Sequence, residues 1–176
     1  MDRLVLIGDS LTEWGNWEAL LGGYRVINLG ISGETTRGLY ARRELIRSTL
    51  CTNDRIFVMS GINDILMAQE DVLPFIEAFT RFLLESGLNL KITIQSLLPV
   101  CGDFIDYLDI IRANNEAIVE LAKGLGVGYL DLYSRFVDPQ GMPIKECFDN
   151  DGVHLSIEGY RVWASAILGL LGKKGK

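Results

Sequence analysis

Short runs of apolar, mostly β-branched residues alternate along this chain with longer segments in which apolar residues recur at helical spacing. This alternation is typical of βαβ units arranged around a parallel sheet. The pattern predicts strands at residues 4–7, 25–29, 55–59, 91–95 and 128–132, and helices at 11–20, 35–48, 71–86, 106–123 and 156–171. It therefore predicts an α/β fold in which helices cover both faces of the sheet, a three-layer α/β/α sandwich.

The segment 71–86 shows the helical spacing most clearly. Its apolar residues on one face are Val72, Phe75, Ile76, Phe79, Phe82 and Leu83. Such a stripe is expected of a helix that covers one side of a sheet. We therefore expect this face to pack in the core, with no ligand implied.

Length and composition fit one domain that spans residues 1–176. Of the 176 residues, 48% are hydrophobic and 23% are charged, which is ordinary for a globular protein that buries a proper core. No linker rich in Pro or Ser divides the chain, and no segment repeats.

Charge and the length of the apolar runs bear on partners and location. A net charge of −6 offers little attraction to nucleic acid or to anionic membrane surfaces. The one cationic cluster, Lys173, Lys174 and Lys176, is expected to be a solvated chain end. The apolar runs at 4–7 and 162–171 are too short for a signal-peptide core and for a membrane span of about 20 residues. We therefore expect a cytoplasmic protein without a membrane span.

Neither the cysteines nor the glycines indicate a metal or a cofactor. Cys51, Cys101 and Cys147 are odd in number and contain no CxxC pair, so we expect reduced thiols that mostly pack as small apolar side chains. The glycine-rich stretch 124–128 precedes a predicted strand instead of following one. It therefore predicts a helix end and a turn, not a dinucleotide loop.

Candidate chemistry is sought at the carboxyl ends of the strands, because ligands of open parallel sheets bind there. The first predicted strand is followed by Gly-Asp-Ser-Leu-Thr at residues 8–12, which places Ser10 at the start of a helix. There its oxygen can be exposed, and its N–H lacks a partner within the helix. The same position also suits a serine that only caps the helix.

Two further strand ends carry small or polar residues. After the second predicted strand, residues 28–36 contain Gly30 and Gly33, which permit close backbone approach or a positive φ. After the third, residues 60–64 contain Asn63, whose amide can project over the sheet edge. Taken singly, these segments also fit ordinary turns and helix caps, with Thr35 or Thr36 as the cap in the first of them.

The chain contains one histidine, His154, just before the last predicted helix. Asp151 lies three residues earlier, on the same side of one turn, so its carboxylate can accept the Nδ1–H of the imidazole. Nε2 is then free to take a proton. Asp149 competes for the same role, and a lone histidine is otherwise more often a surface or core residue.

Together these pieces supply what nucleophilic acyl transfer requires. Ser10 provides the oxygen, His154 the base and Asp151 the carboxylate that orients the base. The oxyanion donors are expected to be the backbone N–H groups of Ser10 and Gly33 and the side-chain amide of Asn63. The sequence therefore predicts a serine esterase that forms an acyl-enzyme intermediate.

The same residues resemble the GDSL, or SGNH, hydrolase family. The blocks that carry the resemblance, in the family's order, are residues 8–11, 31–35 around Gly33, 61–64 and 151–154. Carried over position by position, the resemblance implies the same nucleophile, triad partners and oxyanion donors. It also implies a flavodoxin-like five-stranded parallel sheet in the order 2-1-3-4-5. In style the chain resembles small single-domain members similar to the catalytic subunits of platelet-activating-factor acetylhydrolase, to bacterial lysophospholipase/thioesterases and to carbohydrate acetylesterases.

The substrate and several alternatives stay open at this point. We expect a small carboxylic ester with a short acyl group such as acetyl; longer acyl chains of lysophospholipids or thioesters are the alternative. A metal-dependent phosphoesterase and a binding module that has lost catalysis are further alternatives. Trp14 and Trp17 fit the wall of an acyl pocket and core packing equally well. A homodimer is one option for the assembly.

Overall fold

A computed structural model describes residues 2–69 and 71–172, so the predicted solvated cluster of Lys173, Lys174 and Lys176 lies outside the described residues. The strands are β1 (Arg3–Gly8), β2 (Arg25–Gly30), β3 (Arg55–Met59), β4 (Lys91–Gln95) and β5 (Gly128–Leu130). All pair in parallel, in the order β2-β1-β3-β4-β5. The predicted fold class and strand order are confirmed.

The α-helices of the described chain are α1 (Ser10–Glu13), α2 (Trp17–Leu20), α3 (Thr36–Ala41), α4 (Arg43–Thr49), α5 (Ile62–Leu66), α6 (Leu73–Leu84), α7 (Leu108–Leu125) and α8 (Ile157–Leu170). Short 3₁₀ turns occur at Gly102–Tyr107, Tyr133–Arg135 and Lys145–Cys147. Gly126 ends α7 in the left-handed conformation, as the glycine-rich stretch predicts. No helix within residues 2–69 and 71–172 is both long and apolar enough to cross a bilayer.

The sheet has a separate apolar core on each face. In β1, Leu4 and Leu6 belong to the core that is completed by α7 and α8. Val5 and Ile7 point the other way, into the core that includes residues of α3, α4 and α6. Because successive side chains of a strand point to opposite faces, a run of apolar residues is what a sheet covered on both sides requires. The three-layer arrangement follows from this.

The amphipathic segment packs largely as its spacing predicts. Ile76, Phe79 and Leu83 of α6 are buried, together with Val72 just before the helix. The other two members of the stripe, Phe75 and Phe82, are half-buried. Two of the three cysteines, Cys101 and Cys147, are buried free thiols, and Cys51 is an exposed one.

Two predicted helices are wrong as continuous elements. The predicted helix 11–20 is interrupted between α1 and α2, because an unbroken helix would place Trp14 and Trp17, three residues apart, on one side. Trp17 is instead fully buried, whereas 55% of Trp14 is exposed. The predicted helix 35–48 is divided at Arg42, whose guanidinium binds the Glu34 carboxylate and the Leu29 carbonyl.

The last strand is shorter than predicted, ending at Leu130 instead of residue 132. Beyond it, the N–H groups of Leu132 and Tyr133 donate to the Ser96 hydroxyl at 2.9 and 2.8 Å. The Ser96 side chain thus takes the place of the next strand hydrogen bonds, which the pattern of apolar residues does not reveal.

Candidate active site

Ser10 lies at the tight turn between β1 and α1. Asp9, not Ser10, is the helix cap: its Oδ1 accepts the Leu11 N–H at 3.0 Å. The interpretation of Ser10 as a plain cap is therefore wrong. A Cβ at Gly8 would come within 2.3 Å of the Met59 carbonyl oxygen, so only glycine allows the chain to turn this closely beside β3. Ser10 is thereby held as the first helical residue.

The structure brings Ser10, His154 and Asp151 into one hydrogen-bonded line. The Ser10 Oγ lies 2.9 Å from His154 Nε2, and His154 Nδ1 lies 2.6 Å from Asp151 Oδ2. The second carboxylate oxygen of Asp151 accepts the N–H groups of Val153 at 2.9 Å and of His154 at 2.8 Å. The carboxylate that contacts the His154 ring is therefore that of Asp151. Asp149 instead donates its backbone N–H to the His154 carbonyl.

The pKa values of two carboxyl groups near Ser10 are shifted in opposite directions. Burial alone raises the pKa of Asp151, but hydrogen bonds from the His154 ring and from the backbone outweigh it and leave the pKa below its ordinary value. Burial raises the pKa of Asp9 from 3.8 to about 7; the Leu11 N–H opposes this rise, and the charges of Glu34 and Asp64 add to it. Asp151 is therefore an anion at neutral pH, whereas Asp9 stays protonated up to a higher pH than an ordinary carboxyl group.

The segment that carries Gly33 lies beside α1. A Cβ at Gly30 would come within 2.4 Å of the Glu13 backbone nitrogen, so a glycine at this strand end permits the contact. Gly33 has a φ of +74°, which favours glycine. Among the described residues, neither its N–H nor that of Ser10 has a hydrogen-bond acceptor. Both donors are available to a ligand.

Asn63 lies in the first turn of α5, directly after β3, and is tied to the same segment. Its Nδ2 donates to the Glu34 carbonyl at 2.9 Å, which leaves the second N–H of the amide free. The neighbouring Asp64 is buried and accepts both the N–H and the hydroxyl of Thr36, at 2.9 and 2.6 Å. Thr35 caps α3 through the Gly38 N–H, one of the two caps predicted.

The two tryptophans near Ser10 have different environments. The Trp14 indole stacks on the His154 ring, with centroids 4.1 Å apart and an angle of 20° between the planes. Trp17 packs edge-on against Trp163 at 4.9 Å in the core. Trp14 therefore belongs to the site and Trp17 to the core. The sequence alone had left a pocket wall and core packing open for both residues.

Glu13 and Ser32 join the site without having been predicted. The Glu13 carboxylate accepts the Ser32 N–H at 2.9 Å, and the Trp14 Nε1–H donates to the Ser32 hydroxyl at 2.9 Å. The available signal was spacing: Glu13 and Trp14 follow Ser10 by three and four positions, which places them on the same side of a helical turn. Nothing in the sequence pairs them with Ser32.

A cavity of about 450 Å³ adjoins the stacked ring pair. The residues of its wall include Trp14, Asn16, Leu20, Leu155, Ile157 and Arg161. Another cavity, of about 370 Å³, lies at the opposite end of the strands, where Arg55, Lys91 and Gly128 begin β3, β4 and β5. Trp14, which stacks on the His154 ring, lines the first cavity and not the second. Within residues 2–69 and 71–172, no three His, Cys, Asp or Glu side chains come together as a potential metal site.

Comparisons with known proteins point to one family. The sequence pattern of the GDSL-like lipase/acylhydrolase family matches residues 6–162. An acetylxylan esterase of Geobacillus stearothermophilus is 25% identical, over 97% of this chain and 94% of its own length. The solved structure of Axe2, an acetylxylan esterase of the same organism, has a TM-score of 0.80 at 25% identity and covers 98% of this chain and 95% of its own. A Streptococcus pneumonia structure described as a platelet activating factor has a TM-score of 0.81 at 26% identity. The match covers 97% of this chain and 84% of the other.

Proposed function

The chain belongs to the GDSL-like lipase/acylhydrolase family and is an ester-hydrolysing enzyme, and we propose that it works through a catalytic triad of Ser10, His154 and Asp151. The observation that carries this proposal is the continuous line of short contacts, 2.9 Å from Ser10 Oγ to Nε2 and 2.6 Å from Nδ1 to Asp151. It has the geometry of a nucleophile, its general base and the group that orients the base.

In the proposed reaction, Ser10 Oγ attacks the ester carbonyl carbon and His154 Nε2 takes the hydroxyl proton. The anionic Asp151 stabilises the resulting imidazolium. Collapse of the tetrahedral intermediate breaks the bond to the alcohol, which leaves with the proton from His154. Water then repeats the sequence on the acyl-enzyme: His154 takes its proton, the acid is released, and Ser10 regains its hydrogen.

The oxyanion of each tetrahedral intermediate needs donors that are aimed at it beforehand. The unpaired N–H groups of Ser10 and Gly33 and the free amide hydrogen of Asn63 are the proposed donors. The hydrogen bond from Asn63 to the Glu34 carbonyl supports this role, because it holds the amide beside the segment that carries Gly33.

A serine-directed phosphonate tests the nucleophile. We expect one covalent adduct per chain, located on Ser10 by peptide mass spectrometry, and loss of ester hydrolysis in proportion to labelling. Ser10→Ala should abolish both signals. Labelling at another residue, or full hydrolysis by Ser10→Ala, would show that the triad is assigned wrongly.

The proposed substrate is a small carboxylic ester with a short acyl group such as acetyl, on a carbohydrate alcohol. The similarity to an acetylxylan esterase supports this choice. The cavity beside Trp14 also supports it, since an exposed indole with Asn16 and Arg161 nearby combines an aromatic surface with hydrogen-bonding groups.

A panel of substrates tests the acyl and alcohol preferences separately. Nitrophenyl esters of increasing acyl length should show a kcat/KM that is highest for acetyl, and acetylated xylooligosaccharides should be better substrates than simple alkyl acetates. A maximum at long acyl chains, or preference for lysophospholipids or thioesters, would favour the lipid alternative. Activity lost to a chelator without any phosphonate labelling would favour the metal-dependent alternative, and absence of turnover with intact folding would favour a binding module.

A further inference from the structure

One exposed carboxylate, that of Glu13, connects the turn around Ser10 to the segment that carries Gly33. Its Oε2 accepts the backbone N–H of Ser32 at 2.9 Å and also the Ser32 hydroxyl. Ser32 immediately precedes Gly33, a proposed oxyanion donor. Glu13 lies in α1, the helix that begins with Ser10. Its carboxylate therefore fixes the backbone next to Gly33 relative to Ser10.

The same serine holds the aromatic ring that covers the histidine. Ser32 Oγ accepts the Trp14 Nε1–H at 2.9 Å, and the indole stacks at 4.1 Å on the His154 ring. More than half of Trp14 is exposed, so packing around it does little to fix its orientation. The hydrogen bond to Ser32 is the specific contact that does so.

Other contacts hold the Glu13 backbone against β2 independently of the Glu13 carboxylate. The Asn28 Nδ2 donates to the carbonyl groups of Thr12 and Glu13, at 3.1 and 3.0 Å. The absence of a side chain at Gly30 lets the Glu13 backbone approach β2. The Glu13 side chain thus starts from a rigid position, and its replacement should leave the surrounding backbone in place.

We propose that Glu13, Ser32 and Trp14 form a clamp that positions both the Gly33 amide and the His154 imidazole relative to Ser10. This inference rests on the proposed function, because it assigns the clamp to the alignment of that triad and oxyanion site. As parts of this clamp the three are positioning residues that act through Gly33 or His154; Trp14 also lines the proposed substrate cavity. Small errors in the alignment of reacting groups reduce turnover strongly, so the clamp should act on kcat more than on KM.

The single histidine makes the proposal directly measurable. Ring currents of a stacked indole shield the imidazole protons, so their NMR signals report the stack without ambiguity of assignment. Trp14→Ala provides the signal position of an uncovered ring. Glu13→Ala and Ser32→Ala, which alter no group in contact with His154, are expected to move its signals towards that position. Glu18→Ala, at an exposed glutamate of α2, is the matched control and should leave them unchanged.

Kinetics with nitrophenyl acetate provide the second readout. Glu13→Ala and Ser32→Ala should lower kcat by roughly 10-fold, with KM changed much less, whereas Glu18→Ala should retain wild-type values. Trp14→Phe keeps a ring over His154 but lacks the N–H, so it should recover part of the kcat lost in Trp14→Ala. In the Trp14→Phe background, Glu13→Ala should shift the His154 signals less than in the wild type.

Unchanged His154 signals in Glu13→Ala and Ser32→Ala, or unchanged kcat in both, would overturn the clamp. Additive shifts in the Glu13→Ala/Trp14→Phe double variant would also overturn it. Phosphonate labelling of the wild-type chain separates this result from failure of the proposed function. Labelled Ser10 with unmoved His154 signals disproves the clamp alone, whereas absence of labelling disproves the triad whatever the NMR signals show.

Discussion

Gly152 and Cys101 hold the loop of His154 in place through a contact that leaves no room for a side chain. The Cys101 N–H donates to the Gly152 carbonyl at 2.8 Å. Gly152 has a φ of +76°, and a Cβ there would lie 2.3 Å from the Cys101 carbonyl oxygen. Conformation and close approach therefore both require glycine between Asp151 and His154.

Gly152→Ala should therefore damage both stability and activity. We expect a free energy of unfolding lowered by more than the roughly 1–3 kcal/mol of a strained backbone conformation, and a kcat lowered by about 100-fold because Asp151 and His154 are displaced. Thermal unfolding and ester hydrolysis measure the two effects.

Gly141→Ala is the matched control for that substitution. Gly141 has a φ of +78°, but a Cβ there would meet no atom within 4 Å. It should show the conformational strain alone, with normal kcat. Equal behaviour of the two variants would mean that the contact with Cys101 does not position the histidine loop.

Replacing Asp151 should distinguish it sharply from Asp149. Asp151→Asn removes the anion that accepts the Nδ1–H, so kcat should fall by about 10³–10⁴-fold while the fold is retained. Asp149→Asn keeps the backbone N–H that bonds to the His154 carbonyl and should be nearly silent. Steady-state kinetics of the two variants at pH 7 to 8 decide the matter, and the reverse order of effects would assign the orienting role to Asp149.

Loss of the Asn63 amide should reduce turnover by about 10²–10³-fold, as expected for one oxyanion donor. The effect should lie in kcat, because the donor is aimed at charge that develops only in the transition state. A normal kcat for Asn63→Ala would remove Asn63 from the proposed oxyanion site. Its hydrogen bond to the Glu34 carbonyl would then have only a structural role.

Asp9 should make the free energy of unfolding depend on pH in the direction opposite to that of a carboxylate whose pKa is lowered by folding. Its pKa is about 7 in the folded chain against 3.8 without burial, so between these values the folded state binds more protons than the unfolded state. The free energy of unfolding therefore falls as pH rises from about 4 to about 7, by an amount on the order of 4 kcal/mol for this group, and then levels off.

Asp9→Asn isolates that contribution. The asparagine Oδ1 can still accept the Leu11 N–H, but its amide does not titrate. Denaturant unfolding at about pH 4 and about pH 8 should show the variant gaining stability relative to the wild type as pH rises. Parallel stability curves for the two proteins would contradict the raised pKa of Asp9.

Much of the fold was predictable because its signals are local. Each predicted strand is a short run rich in apolar residues, and the buried face of α6 repeats at helical spacing, so neighbouring residues suffice to identify them. The strand order did not follow from periodicity and came instead from the resemblance of four sequence blocks to a known family. The break between α1 and α2 was not predictable, because Trp17 packs against Trp163 while Trp14 stacks on His154, both from the far end of the chain.

By itself, the sequence determined the type of most elements and the set of residues capable of acyl transfer. Those depend on short-range spacing and on the presence of one histidine in the chain. Only the tertiary structure decided that Asp151 meets the imidazole, that Ser32 joins Glu13 to Trp14, and that the Asp9 carboxyl is sealed from water. These relationships arise from contacts between distant segments and from the exclusion of solvent, neither of which a local pattern of residues encodes.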